Sequence, residues 1–571
     1  MSESIYDKLS KERKRLQKEG LVPEWFTTGG YSMFTQKYEY DTNGRSVRGQ
    51  FERIANAAAK HLKGTKFEAE AESKFFDLMW NNWLSLSTPV MSNMGTDRAL
   101  PVSCSGGVVD DSINGFYRNR YETAILTKHG FGTSAYLGGI RQRGTPYGKD
   151  KKGTASGIWP VFKGHAQDMI DVSQGSQRRG AWAGYLEIDH NDFDEIYDHI
   201  YNDPDGMNVG WVITDTFLKC LQSGDTDAIR RYQRCLKMKM VVGRGYFWFV
   251  DKVNRKLPEP YKRAGMKNYA SNLCNEVALP ADNEHQFTCV LSSMLVHRFD
   301  EWKDTDAVYW ATIFLDCVAE EFIQRAKDIE GLEKTVRFTQ KARALGLGQA
   351  GFHTYLQDHM IPFESLEARM VSQQIAKHIW EESLRASQDM AKELGEPEWC
   401  RGFGVRNASR IAIAPTKSSA IMFGGVSEGI NPDPAMVFTQ KSAGGSIDRI
   451  VPSLLKIMKE RGVYNKRTIK TITERFGSVQ HVDWLSDDEK AVFKTAFEIN
   501  QKTVVNLASA RGRYIDQWQS LNLFFAAEER PEWISEVHQQ AFEDPNILGL
   551  YYIYTQAGIS AAKETECVAC Q

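Results

Sequence analysis

Neither sign of charge is in surplus: 71 Lys and Arg stand against 73 Asp and Glu in 571 residues. So close a balance carries no electrostatic signature of a nucleic-acid or membrane-surface binder. Long hydrophobic runs are missing as well. The most apolar stretch, 307–322, is broken by Asp316, Glu320 and Glu321, whereas a membrane span needs about 20 consecutive apolar residues. The first residues run into a charged stretch from Lys11 to Lys18 and do not read as a signal peptide, so the chain is expected to be cytoplasmic. Internal repeats and low-complexity segments are absent. There is also no disulfide framework: nine cysteines are scattered over 571 residues, and only Cys567-Val568-Ala569-Cys570 has close spacing. A structural zinc site wants a second pair, so no metal is expected in this chain. Two thiols on a free tail read instead as a mobile dithiol that carries electrons.

What is present is a large globular chain, 42% apolar, long enough for a sizeable core. Residues 1–84 read as a polar, mainly helical region. Beyond them, short apolar runs such as Gly245–Val250 and Ile411–Ala414 suit strands buried on both faces, alternating with amphipathic helices. The clearest helix spans 365–394, with Val371, Ile375 and Ile379 recurring at four and Gly395 and Pro397 ending it. That alternation indicates an α/β fold with largely parallel strands; periodicity does not separate barrel from open sheet. The run Gly346-Leu347-Gly348-Gln349-Ala350-Gly351 spells G-x-G-x-x-G, but a polar, helix-like stretch precedes it. The dinucleotide fingerprint requires a strand there, so the glycines are read as close packing.

The rest of the chain is organised around Ser271-Asn272-Leu273-Cys274-Asn275-Glu276-Val277-Ala278-Leu279-Pro280. If extended, it projects Asn272, Cys274 and Glu276 to one side, placing an amide, a thiol and a carboxylate within reach of one small molecule. Cys104 and Cys289 lie in or beside apolar surroundings and could pair as a dithiol. Pro415-Thr416-Lys417-Ser418-Ser419 follows a strand-like run and opens a helix, offering backbone N–H groups and hydroxyls to an anion, with Thr88 as a further donor. Tyr551-Tyr552 could relay an electron and a proton. The loops Ser173–Gly180, with Gln174 and Arg178, and Gly138–Pro146, with Arg141, could grip a phosphorylated ligand. Taken singly, each has a plainer reading: a buried thiol, a helix cap, core aromatics, a solvated turn.

Together and in this order, these segments resemble the catalytic large subunit of ribonucleotide reductase. The similarity also takes in Ser103-Cys104 and Asp111-Ser112-Ile113-Asn114, and runs from about Ser85 to the tail. The resemblance implies a ten-stranded α/β barrel over 85–555, with Cys274 on a loop through its middle and a redox-active tail at 556–571. It also implies roles. Cys274 becomes a thiyl radical, Glu276 takes the 3′-hydroxyl proton and Asn272 bonds the substrate. Cys104 and Cys289 supply two electrons, and Cys567 and Cys570 re-reduce them. Thr88, Ser103 and the turn Pro415, Thr416, Lys417, Ser418 and Ser419 hold substrate. Asp111, Ser112, Arg141, Ser173, Gln174 and Arg178 belong to an allosteric specificity site for ATP or deoxynucleotides. The family's second loop arginine falls at Gly148 here, beside Lys149.

The tyrosine pair resembles the relay of the class that receives its radical from a separate metal-containing small subunit, so no cofactor is expected in this chain itself. The alternative is the adenosylcobalamin-dependent class, which the short interval from Cys104 to Asp111 resembles. Core-like motifs beginning near Ser85 leave no place for the N-terminal ATP-cone that switches activity in many large subunits. Expected partners are a ribonucleoside diphosphate, an effector nucleotide, the small subunit, thioredoxin or glutaredoxin, and a second copy in a homodimer. A silent nucleotide-binding relative would lack some of the five cysteines, and a plain thiol oxidoreductase leaves Asn272 and Glu276 unexplained.

Overall fold

Helices open the chain in the computed structural model, which describes residues 5–40, 46–172, 180–204, 208–442 and 445–556. Ile5–Lys18, Thr28–Met33, Val47–Ala59 and Glu68–Trp80 are α-helical. Thr27 and Ser46 cap the second and third of them, accepting from the N–H of Gly30 and Gly49. Phe51, Ile54 and Ala58 on one helix and Ala71, Phe75 and Leu78 on the next recur at helical spacing and are buried. Phe75 meets Trp310 and Phe314 edge-on, at 6.0 and 5.3 Å between ring centroids. Both partners lie on Ala307–Ala326, a helix buried along almost its whole length. Its apolar character is therefore that of a core helix, and among the described residues no helix is long and apolar enough to cross a membrane. Burial alone would raise the Asp316 carboxyl on this helix, but the guanidiniums of Arg343 and Arg406 hold it well below the usual carboxylate range.

Nine strands form the main sheet: β1 (Leu84–Leu86), β2 (Cys104–Val108), β3 (Gly132–Tyr136), β4 (Trp182–Glu187), β5 (Asn208–Ile213), β6 (Tyr246–Phe249), β7 (Phe287–Leu295), β8 (Leu345–Ala350) and β9 (Gly549–Leu550). Their order is β1-β7-β2-β3-β4-β5-β6-β9, with β8 also paired to β7. From β2 to β6 every pairing is parallel. The run is flanked by antiparallel partners, β7 against β2 and β9 against β6. Every residue of β3, β5, β6, β7 and β8 is buried, as expected of parallel strands covered on both faces.

The long helix forms as its periodicity predicts, Leu366–Leu394, with Ser365 capping its start and Gly395 leaving at φ +83°. The strand expected at Ile411–Ala414 does not form a ladder. Leu345 and Leu347 of β8 do donate to the carbonyls of Ser409 and Arg410, so the segment runs along the sheet in the manner of a tenth strand. The N–H groups of Arg410 and Ile411, however, turn to the Asp516 carboxylate at 2.9 and 2.8 Å. Only Ile413 makes a bridge, to Gln519. Gly346 and Gly348 sit within β8, preceded by the helix Glu333–Ala342. A Cβ on Gly346 would lie 2.3 Å from Leu291 Cδ2 and 2.7 Å from Cys289 Sγ, and one on Gly348 2.8 Å from the Ala412 carbonyl, so the glycines do serve close packing. A separate small core, including Met436, Leu454, Met458, Ile472 and Phe493, lies under the hairpin Val437–Ser442/Gly445–Ile450 and its neighbouring helices.

Candidate active site

The segment 271–280 is not extended at its centre, contrary to the alternation drawn from the sequence. Leu273 and Cys274 form a turn, Asn275 takes a left-handed φ of +64°, and its N–H donates back to the Asn272 carbonyl at 3.3 Å. Asn tolerates this conformation better than most residues. Asn272 and Glu276 converge all the same, because Asn272 organises the turn. Its Oδ1 accepts from the N–H groups of Glu276 and Val277 at 3.1 and 3.2 Å, and its Nδ2 donates to Glu276 Oε1 at 2.9 Å.

The walls around this turn come from six strands and one loop. Ser134 on β3 donates to the Ser271 carbonyl at 2.8 Å, and Tyr185 on β4 donates to the Asn272 carbonyl at 2.7 Å. Cys104 on β2 accepts from Asn272 Nδ2 at 3.4 Å. Gly549 on β9 leaves room for Asn275 Oδ1, which a Cβ there would meet at 2.5 Å. Trp518 N–H donates to the Glu276 carbonyl, and the Ser520 hydroxyl is 2.5 Å from the Cys274 carbonyl and 3.1 Å from Glu276 Oε2. Cys104 stands opposite Cys289 of β7 in register, and Gln517 Nε2 donates to the Cys289 sulfur at 3.5 Å. Tyr246 of β6 completes the wall on the tyrosine side.

Glu276 is fully buried, and that desolvation pushes its carboxyl up to about 7 even though Asn272 and Ser520 donate to it. Near neutrality such a group exchanges a proton readily. Burial likewise pushes the Cys289 thiol up, which suits a hydrogen donor better than a nucleophile.

Tyr551 and Tyr552 fall in the break between β9 and the short strand Ile553–Thr555, not inside a strand. Their rings lie 4.0 Å apart by centroid, and Tyr246 adds a third ring at 4.8 and 5.5 Å, its hydroxyl 3.3 Å from that of Tyr552. Lys239, buried, donates from Nζ to the carbonyls of Gly245 (2.8 Å) and Tyr551, and desolvation lowers its pKa to about 7.

The turn from Pro415 opens the short helix Lys417–Met422, packed against β1 and against Thr28–Met33. The Thr416 hydroxyl accepts from Gly429 N–H at 2.9 Å and Ser418 is buried. Thr88 heads Thr88–Asn93, its hydroxyl 3.1 Å from that of Tyr38. Ser103 is buried beside Cys104, its hydroxyl without a hydrogen-bond partner among the described residues. Asp111, Ser112 and Arg141 come together: Arg141 Nε donates to Asp111 at 2.6 Å, and Ser112 caps Ile113–Lys128. Arg143, next in that loop, is taken by Glu195. Ser173, Gln174, Arg178, Cys567 and Cys570 lie outside the described residues.

The family model described as "Ribonucleotide reductase, barrel domain" matches residues 102–230, 225–403 and 398–553, and "Ribonucleotide reductase, all-alpha domain" matches 24–99. A putative ribonucleoside-diphosphate reductase large subunit of Frog virus 3 is 33% identical, covering 88% of this chain and 93% of its own. The chain belongs to the class I ribonucleotide reductase large subunits. A solved reductase, the Actinobacillus ureae class Id alpha subunit, superposes with a TM-score of 0.85 at 35% identity, covering 96% of this chain and 99% of its own. The large subunit of Invertebrate iridescent virus 3 is 28% identical over 87% of this chain and 92% of its own. Class I membership disfavours the cobalamin-dependent alternative. As a member of this family the chain reduces ribonucleotides, and its class is consistent with a radical supplied by a separate small subunit. The all-alpha match accounts for the helical N-terminal region.

Sequence reasoning missed Tyr185, Tyr246, Lys239, Gln517 and Ser520. The aromatic run containing Tyr246 was legible as a buried strand, but only the sheet order brings it beside Tyr551.

Proposed function

We propose that this chain reduces ribonucleoside diphosphates at the turn 272–276. The observation that carries this is the meeting of Asn272, Glu276, Cys104 and the Cys274 backbone in one buried hydrogen-bonded set, with Cys289 in register with Cys104. Cys274 as a thiyl takes hydrogen from C3′ of the substrate, and Glu276 accepts the 3′-hydroxyl proton while Asn272 orients that hydroxyl. The 2′-hydroxyl leaves as water. Cys104 and Cys289 deliver two electrons and become a disulfide, and Cys274 returns its hydrogen to C3′. Cys567 and Cys570 then restore the dithiol by exchange and are themselves recharged by thioredoxin or glutaredoxin. The ring cluster Tyr552, Tyr551 and Tyr246, tilted and edge-on to one another, supports a relay from a metal-containing small subunit to Cys274.

The substrate phosphates rest on Thr88 and the turn from Thr416 to Ser419, with Ser103 and Pro415 also binding substrate. Asp111, Ser112, Arg141 and the loop with Ser173, Gln174 and Arg178 receive an ATP or deoxynucleotide effector. A homodimer accords with the surface of Ile113–Lys128. There Ile113, Tyr117 and Tyr121, at successive intervals of four, are 69%, 64% and 44% exposed, an apolar stripe that a second copy would cover.

The test is CDP reduction by the purified chain with dithiothreitol and an effector. Turnover is expected with a metal-loaded small subunit and not with adenosylcobalamin, and Cys274→Ser is expected to abolish it. Undiminished reduction by that variant would overturn the assignment.

A further inference from the structure

Away from the Cys274 turn, a cleft of about 520 Å³ lies where residues 256–260, Leu366–Leu394, 403–410 and 512–516 meet. Lys256, Arg410 and Arg513 line it, with Asp516 as its one carboxylate. That carboxylate is already engaged, accepting from the N–H groups of Arg410 and Ile411, and its Oδ2 is 3.9 Å from Arg410 Nη1. Arg410 is only 5% exposed. Its Nε donates to Ser383 Oγ at 3.3 Å and its guanidinium lies 4.5 Å from the Trp380 ring centre. Its Nη2 has no hydrogen-bond partner among the described residues, and neither does the buried Nζ of Lys256. Arg513 adds an exposed third cation.

Buried donors on charged groups are costly when unmet, and desolvation lowers the pKa of both Arg410 and Lys256. Three cations line the cleft against Asp516, which is committed, and Asp544, which acts on Lys256 from outside the lining, so the lining itself is positive. One free guanidinium nitrogen and an ammonium lining the same cleft suit an anion with several oxygens spread over a tetrahedron. We propose that this cleft is a second anion site, binding a phosphate-bearing small molecule through Arg410 Nη2 and Lys256 Nζ. The site adjoins the catalytic wall: Asp516 precedes Gln517, whose amide donates to the Cys289 sulfur.

Crystals soaked in tungstate locate the site directly. An anomalous peak within hydrogen-bond distance of Arg410 Nη2 and Lys256 Nζ is expected; tungstate confined to the 415–419 turn or to the outer surface overturns the proposal. In solution, inorganic pyrophosphate is expected to raise the melting temperature of the full chain. The double variant Arg410→Gln/Lys256→Met is expected to bind it at least tenfold more weakly. Equal affinity in both proteins also overturns the proposal. Arg410→Gln also gives up the Ser383 bond and the Asp516 contact, so Lys256→Met alone, which removes an unmet buried donor, is the folding control. It is expected to melt no lower than wild type without anion and still to bind pyrophosphate more weakly, which separates lost binding from lost folding. A ribonucleoside triphosphate in place of pyrophosphate distinguishes the source. Tighter binding that Arg410→Gln weakens assigns a nucleotide, and no gain over pyrophosphate assigns the free anion.

Discussion

Glu276 meets no solvent, and its carboxyl is held at about 7 by desolvation against the donors Asn272 and Ser520. A rate that needs the carboxylate should rise with pH through about 7, and a pH–rate profile of CDP reduction checks this. The same displacement bears on folding. The folded chain holds this proton more tightly than the unfolded one, so stability falls as pH rises from about 4.5 to about 7, and the penalty is complete above that window. It amounts to on the order of 3 kcal/mol. Glu276→Gln should therefore be inactive, yet gain on the wild type in urea midpoint at pH 8 and lose that advantage near pH 4. At this scale the sequence was informative: it picked out Asn272 and Glu276, which do meet, Nδ2 to Oε1 at 2.9 Å, as candidates for the reacting groups. The reason given for their meeting was not the right one, since a turn built on Asn272 brings them together rather than strand alternation. Tyr185 and Ser520 were illegible because each lies far from the turn in sequence and reaches it only through the closed fold.

Strands and helices were legible where burial was uniform, as in β6, or where capping was explicit, as in Leu366–Leu394. Ile411–Ala414 reads as a strand and misses being one because the Asp516 carboxylate captures its leading N–H groups; nothing near it in sequence announces that competitor. Two predictions belong to elements. Gly346→Ala drives a Cβ into Leu291 and Cys289, so it should cost about 1–3 kcal/mol and depress turnover by displacing Cys289 from Cys104. A urea melt and a single-turnover assay would register both effects. Lys239→Met strands the carbonyls of Gly245 and Tyr551 that Nζ now satisfies, at about 1–3 kcal/mol for an unmet buried group. It should lower kcat while leaving KM for CDP unchanged, since it disturbs the tyrosine cluster and not the substrate turn; steady-state kinetics separate the two.

For the molecule as a whole, the exposed stripe Ile113, Tyr117 and Tyr121 starts one residue after Ser112, so the effector contacts and subunit contacts proposed above would share one helix. Tyr117→Glu is expected to yield a monomer by analytical ultracentrifugation and to blunt the response of CDP reduction to effector. Wild-type sedimentation would count against the stripe as the contact surface. Sequence pattern could not reveal this stripe: the helix is weakly patterned, and its outward apolar residues stand out only once the inner face is known.

The hydrogen bonds that shape the 271–276 turn reach to Ser134, Tyr185, Cys104 and Ser520, across 137, 87, 168 and 246 residues of chain. Contacts that distant form late, after the loops between them have closed. The turn that carries Cys274 is thus among the last parts of the molecule to acquire its shape. A nascent chain that has extruded Cys274 but not yet Ser520 cannot hold the cysteine carbonyl in place. Order of synthesis itself keeps a thiol destined for hydrogen abstraction out of its working geometry until the surrounding barrel is complete.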